Sequence, residues 1–137
     1  MTTEAFRRLA PLVSRTPASP DALEQLGFVL HDLGMLAQAA QWFRRSLAVS
    51  FDRARAELGL GLVAYGAGDR LAARRRYRRA LAIEPGQVEA ANNDGVVSLE
   101  FGAAELADRW FRRATWLRPT WFPPYGNLAN EIGRAHV

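Results

Sequence analysis

The sequence contains no cysteine, which excludes disulfides, thiol nucleophiles and cysteine-based metal sites. Its only imidazoles are His31 and His136, and no acid, serine or second histidine stands at a triad or metal-ligand spacing from either one. The chain therefore offers no catalytic group of residues. We expect a protein that is not an enzyme and that carries no cofactor.

Long apolar runs are also missing, because charged residues interrupt each run well before the roughly 18 residues that a membrane-spanning helix needs. The N-terminal stretch mixes charge into its apolar residues, so it lacks the apolar segment of a signal peptide. Lysine is absent too, and all 18 basic residues are arginine, which is typical of a GC-rich bacterial coding sequence. We expect a cytoplasmic protein with no membrane partner.

What the sequence does contain is an internal repeat with a period of 34 residues, seen when 20–53, 54–87 and 88–121 are aligned. Glycine fills two columns, Gly27/Gly61/Gly95 and Gly34/Gly68/Gly102. An aromatic column holds Phe43, Tyr77 and Phe111, and an alanine column holds Ala39, Ala73 and Ala107. Apolar residues between these columns recur every three to four positions, so each repeat predicts a helix, a turn and a second helix.

The two glycine columns predict different roles. A glycine inside a helix costs roughly 1 kcal/mol relative to alanine, so Gly27 and its equivalents need a compensating close approach between helices. The aromatic of the second helix is expected to fill the space beside each of these glycines. Gly34 and its equivalents fall between the helices, where a positive φ is easily reached by glycine.

This pattern resembles the tetratricopeptide repeat, on the strength of Leu26-Gly27, Leu60-Gly61, the alanine and aromatic columns, and the helix-ending Pro85 and Pro119. The resemblance implies an all-α fold, a right-handed α-solenoid or superhelix of antiparallel helical hairpins. It gives three repeats at 20–53, 54–87 and 88–121, a preceding half repeat at 1–19, and the first helix of a fourth repeat or a cap at 122–137. The chain departs from the family pattern at Asp94, which replaces a leucine, and at Phe51, which replaces a proline. The family's early tryptophan column holds Leu23, Glu57 and Ala91.

The last segment, 122–137, is either a capping helix or the start of a fourth repeat at which the chain was cut. The face offered by Ala129, Gly133 and Ala135 is small and nearly uncharged, whereas a terminal cap usually has a polar outer face. We therefore expect either that the chain is part of a longer protein or that it forms a homo-oligomer through this terminal repeat.

Two patterns suggest other functions when they are taken alone. Gly59, Gly61 and Ala64 fit a dinucleotide fingerprint, but that motif requires a preceding strand, and here the preceding residues are helical. The run from Arg74 to Arg79 suggests nucleic-acid binding. Because arginine pairs recur at one column of every second helix, a solvated outer face is the favoured interpretation, and we expect no nucleic-acid partner.

In this family the first helices line a concave groove, and its contact positions can be transferred column by column. The candidate partner-binding residues are Glu24, Phe28, His31, Arg55, Leu62, Tyr65, Glu89, Asn92, Asn93, Glu100, Asn127 and Asn130. The resemblance implies a protein or peptide partner held in this groove. The mixture of acids, apolar residues and amides suits a segment that is basic or partly apolar.

Two binding modes of the family are distinguished by these columns. The mode that grips the terminal carboxylate of heat-shock chaperones needs cations where Glu24 and Glu89 stand, so we do not expect it. Asn93 and Asn127 match an asparagine column that resembles the peptide-binding superhelix of O-linked N-acetylglucosamine transferases. One alternative is therefore a substrate-recruiting arm of a larger, glycosyltransferase-like enzyme, and another is a nucleic-acid binder that uses the outer arginines.

Overall fold

The computed structural model describes Arg7 and residues 19–120. This part of the chain contains six helices and no strand. The helices are α1 Pro20–Asp32, α2 Leu36–Val49, α3 Ala54–Gly66, α4 Arg70–Ile83, α5 Val88–Glu100 and α6 Ala104–Leu117. The predicted half repeats 1–19 and 122–137 lie outside the described residues, apart from Arg7 and Ser19.

The helices pair as three hairpins, α1 with α2, α3 with α4 and α5 with α6. Successive hairpins stack through α2 on α3 and through α4 on α5, and α1 also contacts α3. Each repeat thus buries its apolar side against the next one, as a solenoid requires. The predicted all-α solenoid is confirmed.

Each hairpin turns at a glycine in the left-handed region, with φ of 80° at Gly34, 86° at Gly68 and 79° at Gly102. At the first turn the Gly34 amide donates to the His31 carbonyl and the Met35 amide to the Leu30 carbonyl, both at 2.9 Å. This is the Schellman arrangement, and the other two turns repeat it. The predicted role of the turn glycines is confirmed.

The helical glycines face aromatic rings of the second helices. A Cβ built on Gly27 would lie 2.6 Å from the ring of Phe43, and one on Gly61 would lie 2.5 Å from the ring of Tyr77. Gly59 meets the Phe43 ring from the following hairpin, at 2.3 Å. Phe43 is thus enclosed by glycines of two hairpins. The close approach predicted within each hairpin is confirmed, and the contact of Gly59 extends it to the boundary between hairpins.

Two departures from the repeat pattern are buried acids that arginines of α4 neutralise. Glu57 is 5% exposed, and Arg76 Nη1 lies 3.1 Å from its Oε2. Asp94 is fully buried, with Arg78 Nε at 3.4 Å and Arg74 Nε at 3.8 Å from its carboxylate oxygens. Burial raises the pKa of Asp94, and the two arginines oppose that shift.

The arginine run on α4 is therefore only partly the solvated face that its sequence predicts. Arg74, Arg76 and Arg78 hold the buried acids of α3 and α5. Arg75 and Arg79 are exposed and form no ion pair within residues 19–120. Three of the five arginines in this run thus hold neighbouring helices together, and the other two stay available at the surface.

Candidate functional site

Side chains from α1, α3 and α5 meet around Arg55, which lies near the start of α3. Its guanidinium carbon lies 4.9 Å from the centre of the Phe28 ring. Its Nε is 4.0 Å from Glu24 Oε2, and its Nη1 is 3.8 Å from Glu89 Oε1. One arginine thus connects the first helices of all three hairpins, and it brings together four of the predicted contact residues.

Glu24 is held more tightly by a second arginine that the sequence analysis missed. Arg53 Nε donates a hydrogen bond to Glu24 Oε1 at 3.0 Å, and Arg53 also pairs with Asp21. The hydrogen bond to Glu24 raises the pKa of Arg53, and its partial burial opposes that rise. Arg53 immediately precedes α3, so the stacking of α3 on α1 places it beside the acids of α1.

A second cluster joins α3, α4 and α5 at the opposite end of these helices. The Tyr65 hydroxyl donates to Glu100, and Arg70 pairs with the other oxygen of the same carboxylate. The Arg70 guanidinium carbon lies 5.0 Å from the centre of the Tyr65 ring. The hydrogen bond to Glu100 raises the pKa of Arg70. Arg70, like Arg53, was not among the residues predicted from the sequence.

The other predicted residues occupy several environments. Phe28 packs edge-on against Phe43, with ring centres 4.9 Å apart and an interplanar angle of 74°. Leu62 is partly buried against the core, and Asn93 is partly exposed. His31 Nδ1 lies 3.5 Å from Asp32 Oδ1 on the same turn. Asn127 and Asn130 lie outside the described residues.

Two predicted contact residues are buried in the structure, which corrects their assignment. Glu24 is 5% exposed, and arginines approach both of its carboxylate oxygens. Asn92 is 3% exposed, and its Nδ2 has no hydrogen-bond partner within the described residues. Glu24 belongs to the contact between the first two hairpins, because Arg53 and Arg55 hold its carboxylate.

The charge of this surface is more balanced than the sequence analysis expected. Around Arg55 the carboxylates of Asp21, Glu24 and Glu89 meet two guanidiniums, and Glu100 is matched by Arg70. The acids of the first helices are evident in the sequence, whereas the arginines that reach them come from other hairpins. A signal was present, since an acid at a buried column requires a cation nearby.

These hairpins match known structures. A crystal structure of MamA superposes with a TM-score of 0.76 at 21% identity, covering 98% of this chain and 79% of the other. PilF of Pseudomonas aeruginosa gives 0.84 at 22% identity, covering 98% and 61%. The first TPR domain of Spaghetti (RPAP3), bound to an HSP90 peptide, gives 0.77 at 15% identity, covering 85% and 92%. The chain has the tetratricopeptide-repeat fold.

At sequence identities of 15–22%, these superpositions establish that the chain has the architecture of a tetratricopeptide array. No protein-family profile and no curated protein matches the sequence. Within residues 19–120 no helix is long and apolar enough to cross a membrane. The same part of the tetratricopeptide array contains no cluster of three histidine, cysteine or acidic side chains that could hold a metal ion.

Proposed function

We propose that the chain is a protein-interaction module that binds an extended or helical segment of a partner protein along the first-helix surface. This surface is the side of α1, α3 and α5 that carries Phe28, Arg55, Tyr65, Glu89 and Asn93. The observation that carries the proposal is the continuity around Arg55, where side chains of three hairpins form one surface. A partner lying across it would contact every repeat.

The proposal agrees with what a related structure holds. The tetratricopeptide domain of Spaghetti is bound to a peptide of HSP90. Glu24 and Glu89 stand at the columns where the chaperone mode needs cations, and here Arg55 lies between these two acids. We therefore infer the same general use of the fold with a different peptide chemistry.

The preferred segment is partly apolar and carries a small number of basic residues. Phe28 and Leu62 supply partly buried apolar area, and Asn93 supplies an amide that can both donate and accept hydrogen bonds. Glu24 and Glu100 are neutralised by arginines, so they contribute little attraction. The exposed carboxylate of Asp32 and the partly exposed one of Glu89, whose distance to Arg55 is 3.8 Å, are the groups that would pair with a basic side chain.

The affinity is expected to be modest. A flexible segment loses conformational entropy when it is ordered, and three hairpins offer limited contact area. Most of the carboxylates on this surface also have an arginine partner already, which lowers their gain from a new cation. We expect dissociation constants on the order of micromolar.

The test uses two fluorescein-labelled peptides of twelve residues, each with phenylalanine and leucine in its first half. The basic peptide carries arginine in its second half, and the acidic peptide carries glutamate there. Fluorescence anisotropy should show the basic peptide binding to the full chain, and Glu89→Ala/Asn93→Ala should weaken it about tenfold. The control Gln38→Ala/Glu105→Ala, on exposed positions of α2 and α6, should change affinity less than about twofold.

Photo-crosslinking places the bound peptide independently of affinity. A benzophenone amino acid at His31 should capture the basic peptide, and the same group at Arg109 on α6 should not. Equal binding to both double variants, or capture only from Arg109, would show that the first-helix surface is not the binding site.

A further inference from the structure

A second groove lies on the other side of the array, between the end of α2 and the face of α4. It has a volume of about 500 Å³, and its walls include Leu47, Phe51, Arg76, Arg79 and Ile83. Phe51 is 84% exposed, and Ile83 is 40% exposed. Large exposed apolar side chains at a groove are the usual anchors of a protein interface. We call this feature the outer groove.

The repeat itself explains why the groove is open at this boundary. The column that holds Trp42 and Trp110 holds Arg76 in the middle hairpin. Trp110 packs against the core at the next boundary, whereas Arg76 turns to the buried carboxylate of Glu57. The space that a tryptophan would fill beside Leu47 therefore remains open.

The same comparison identifies the positive charge at the groove. Arg79 and Arg113 occupy one column, and Arg113 Nη2 donates to the Pro85 carbonyl at 3.1 Å. In the repeat-equivalent position Phe51 replaces this proline, and the Arg79 guanidinium forms no hydrogen bond or ion pair within residues 19–120. Arg75, one turn earlier on the same face of α4, lacks an ion pair in the same way. Two guanidiniums without a partner among the described residues thus stand beside an apolar cleft.

Nearby acids do not neutralise this charge. Glu57 lies in the groove wall, but Arg76 already pairs with it. Asp52 and Glu84 line a neighbouring depression together with Arg53. Around Arg75 and Arg79, a contiguous depression of about 610 Å³ is lined, among the described residues, by arginine and alanine side chains of α4. The outer groove therefore has an apolar end at Phe51 and a cationic end at Arg75.

We propose that the outer groove is a second docking site, which binds an acidic segment of a partner protein that carries apolar anchor residues. The apolar anchors lie against Phe51 and Ile83, and the carboxylates of the segment pair with Arg75 and Arg79. Charge complementarity selects an acidic ligand, and the aliphatic walls formed by Leu47 and Ile83 favour the apolar side chains of a peptide over a nucleic acid. This site is independent of the first-helix surface and uses none of its residues.

The acidic peptide described above is the probe for this site. We expect it to bind the wild-type chain, and we expect Phe51→Ala and Arg75→Ala/Arg79→Ala each to weaken it about tenfold or more. The matched controls are Trp116→Ala, which removes another exposed aromatic, and Arg109→Ala/Arg118→Ala, which removes two exposed arginines elsewhere. Both controls should retain the wild-type affinity within about twofold.

Charge reversal supplies the decisive comparison. Arg75→Glu/Arg79→Glu should lose the acidic peptide and bind a second copy of the basic one in the outer groove, whereas Glu89→Ala/Asn93→Ala should leave the acidic peptide unaffected. Failure to bind the acidic peptide, or equal loss in the controls, overturns the proposal. The proposal is also overturned if a twelve-nucleotide single-stranded RNA binds more tightly than the acidic peptide, and if that binding depends on Arg75 and Arg79 but not on Phe51.

Discussion

Replacing Asp94 by leucine should stabilise the protein, although the change removes two ion pairs. Asp94 is fully buried at the column where Leu26 and Leu60 stand in the other hairpins. Its carboxylate lies 3.4 Å from Arg78 Nε and 3.8 Å from Arg74 Nε, and Oδ1 accepts no hydrogen bond within the described residues. These contacts are too long to offset fully the cost of removing a carboxylate from water.

The size of the stability change depends on Arg74 and Arg78, the two arginines that remain after Asp94 is replaced. Exchanging all members of a buried ion pair for well-packed apolar side chains is often neutral or stabilises by about 1–4 kcal/mol, whereas removing one member is costly where the other stays buried and unpaired. Arg78 is half exposed and can be solvated once its partner is lost. Arg74 keeps its contact with the Phe101 ring at 4.9 Å and its hydrogen bond to Ser98 at 3.3 Å. We therefore expect about 1–3 kcal/mol of added stability, which corresponds to an increase of about 4–10 °C in Tm.

The pH dependence of stability shows whether the charge of Asp94 stabilises or destabilises the folded protein. Because burial raises the pKa of Asp94 above its unfolded value, the folded state holds the proton more strongly. Protonation of Asp94 therefore stabilises the folded state at pH values below the pKa of this residue in the unfolded chain. This stabilisation is lost as the pH rises through the pKa of Asp94 in the folded state. The advantage of Asp94→Leu over the wild type should therefore be smaller at low pH than at neutral pH.

Thermal and urea denaturation followed by circular dichroism would measure both effects. Asp94→Asn, which keeps the shape and removes the charge, should give a smaller change than leucine because its amide remains poorly hydrogen-bonded. Leu60→Asp, in the same column of the middle hairpin, should destabilise the protein because it buries a new charge. A lower unfolding free energy for Asp94→Leu at neutral pH would refute the argument and make the ion pairs a net source of stability.

Other expectations concern the glycine contacts and the surface charge. Gly61→Leu should destabilise by more than about 2 kcal/mol, because its side chain would overlap the buried ring of Tyr77. Gly59→Ala should also lower Tm, since its Cβ would lie 2.3 Å from the enclosed ring of Phe43, while Gly86→Ala, which meets open space, serves as the control for both in thermal denaturation. The chain should show no submicromolar, salt-sensitive binding to DNA or RNA oligonucleotides, and fluorescence anisotropy at physiological salt would contradict this if it detected such binding.

The architecture was predictable because its signals are local and periodic. The turn glycines are specified by a backbone conformation that favours glycine, and three equivalents at Gly34, Gly68 and Gly102 identify the turns without knowledge of tertiary contacts. The glycine and aromatic columns likewise predict the hairpin contact, because a missing side chain and a large ring complement each other. Gly59 was not predicted, since its partner Phe43 belongs to the preceding hairpin and the other repeats have no glycine at that column.

The charge pattern was not predictable in the same way. The pair between Arg53 and Glu24 joins residues 29 positions apart, and the pair between Arg70 and Glu100 joins residues 30 positions apart. With 18 arginines in the chain, sequence spacing alone cannot identify which one reaches a given acid. The first-helix surface therefore looked acidic in the sequence and is largely neutralised in the structure.

In the middle hairpin, Arg76 contributes both to stability and to the shape of the outer groove. Exchanging Glu57 and Arg76 for the equivalent residues of the next hairpin separates these two roles. Arg76 neutralises the buried Glu57 and, by doing so, leaves the space beside Leu47 unfilled. The equivalent residues one repeat later are Trp110, which packs against the core, and the fully buried Ala91. The double variant Glu57→Ala/Arg76→Trp should therefore fold with a Tm near that of the wild type while the new indole fills the groove. We expect it to bind the acidic peptide about tenfold more weakly, with binding of the basic peptide unchanged. A folded double variant that still binds the acidic peptide with wild-type affinity would show that the open space between α2 and α4 is not where that peptide docks.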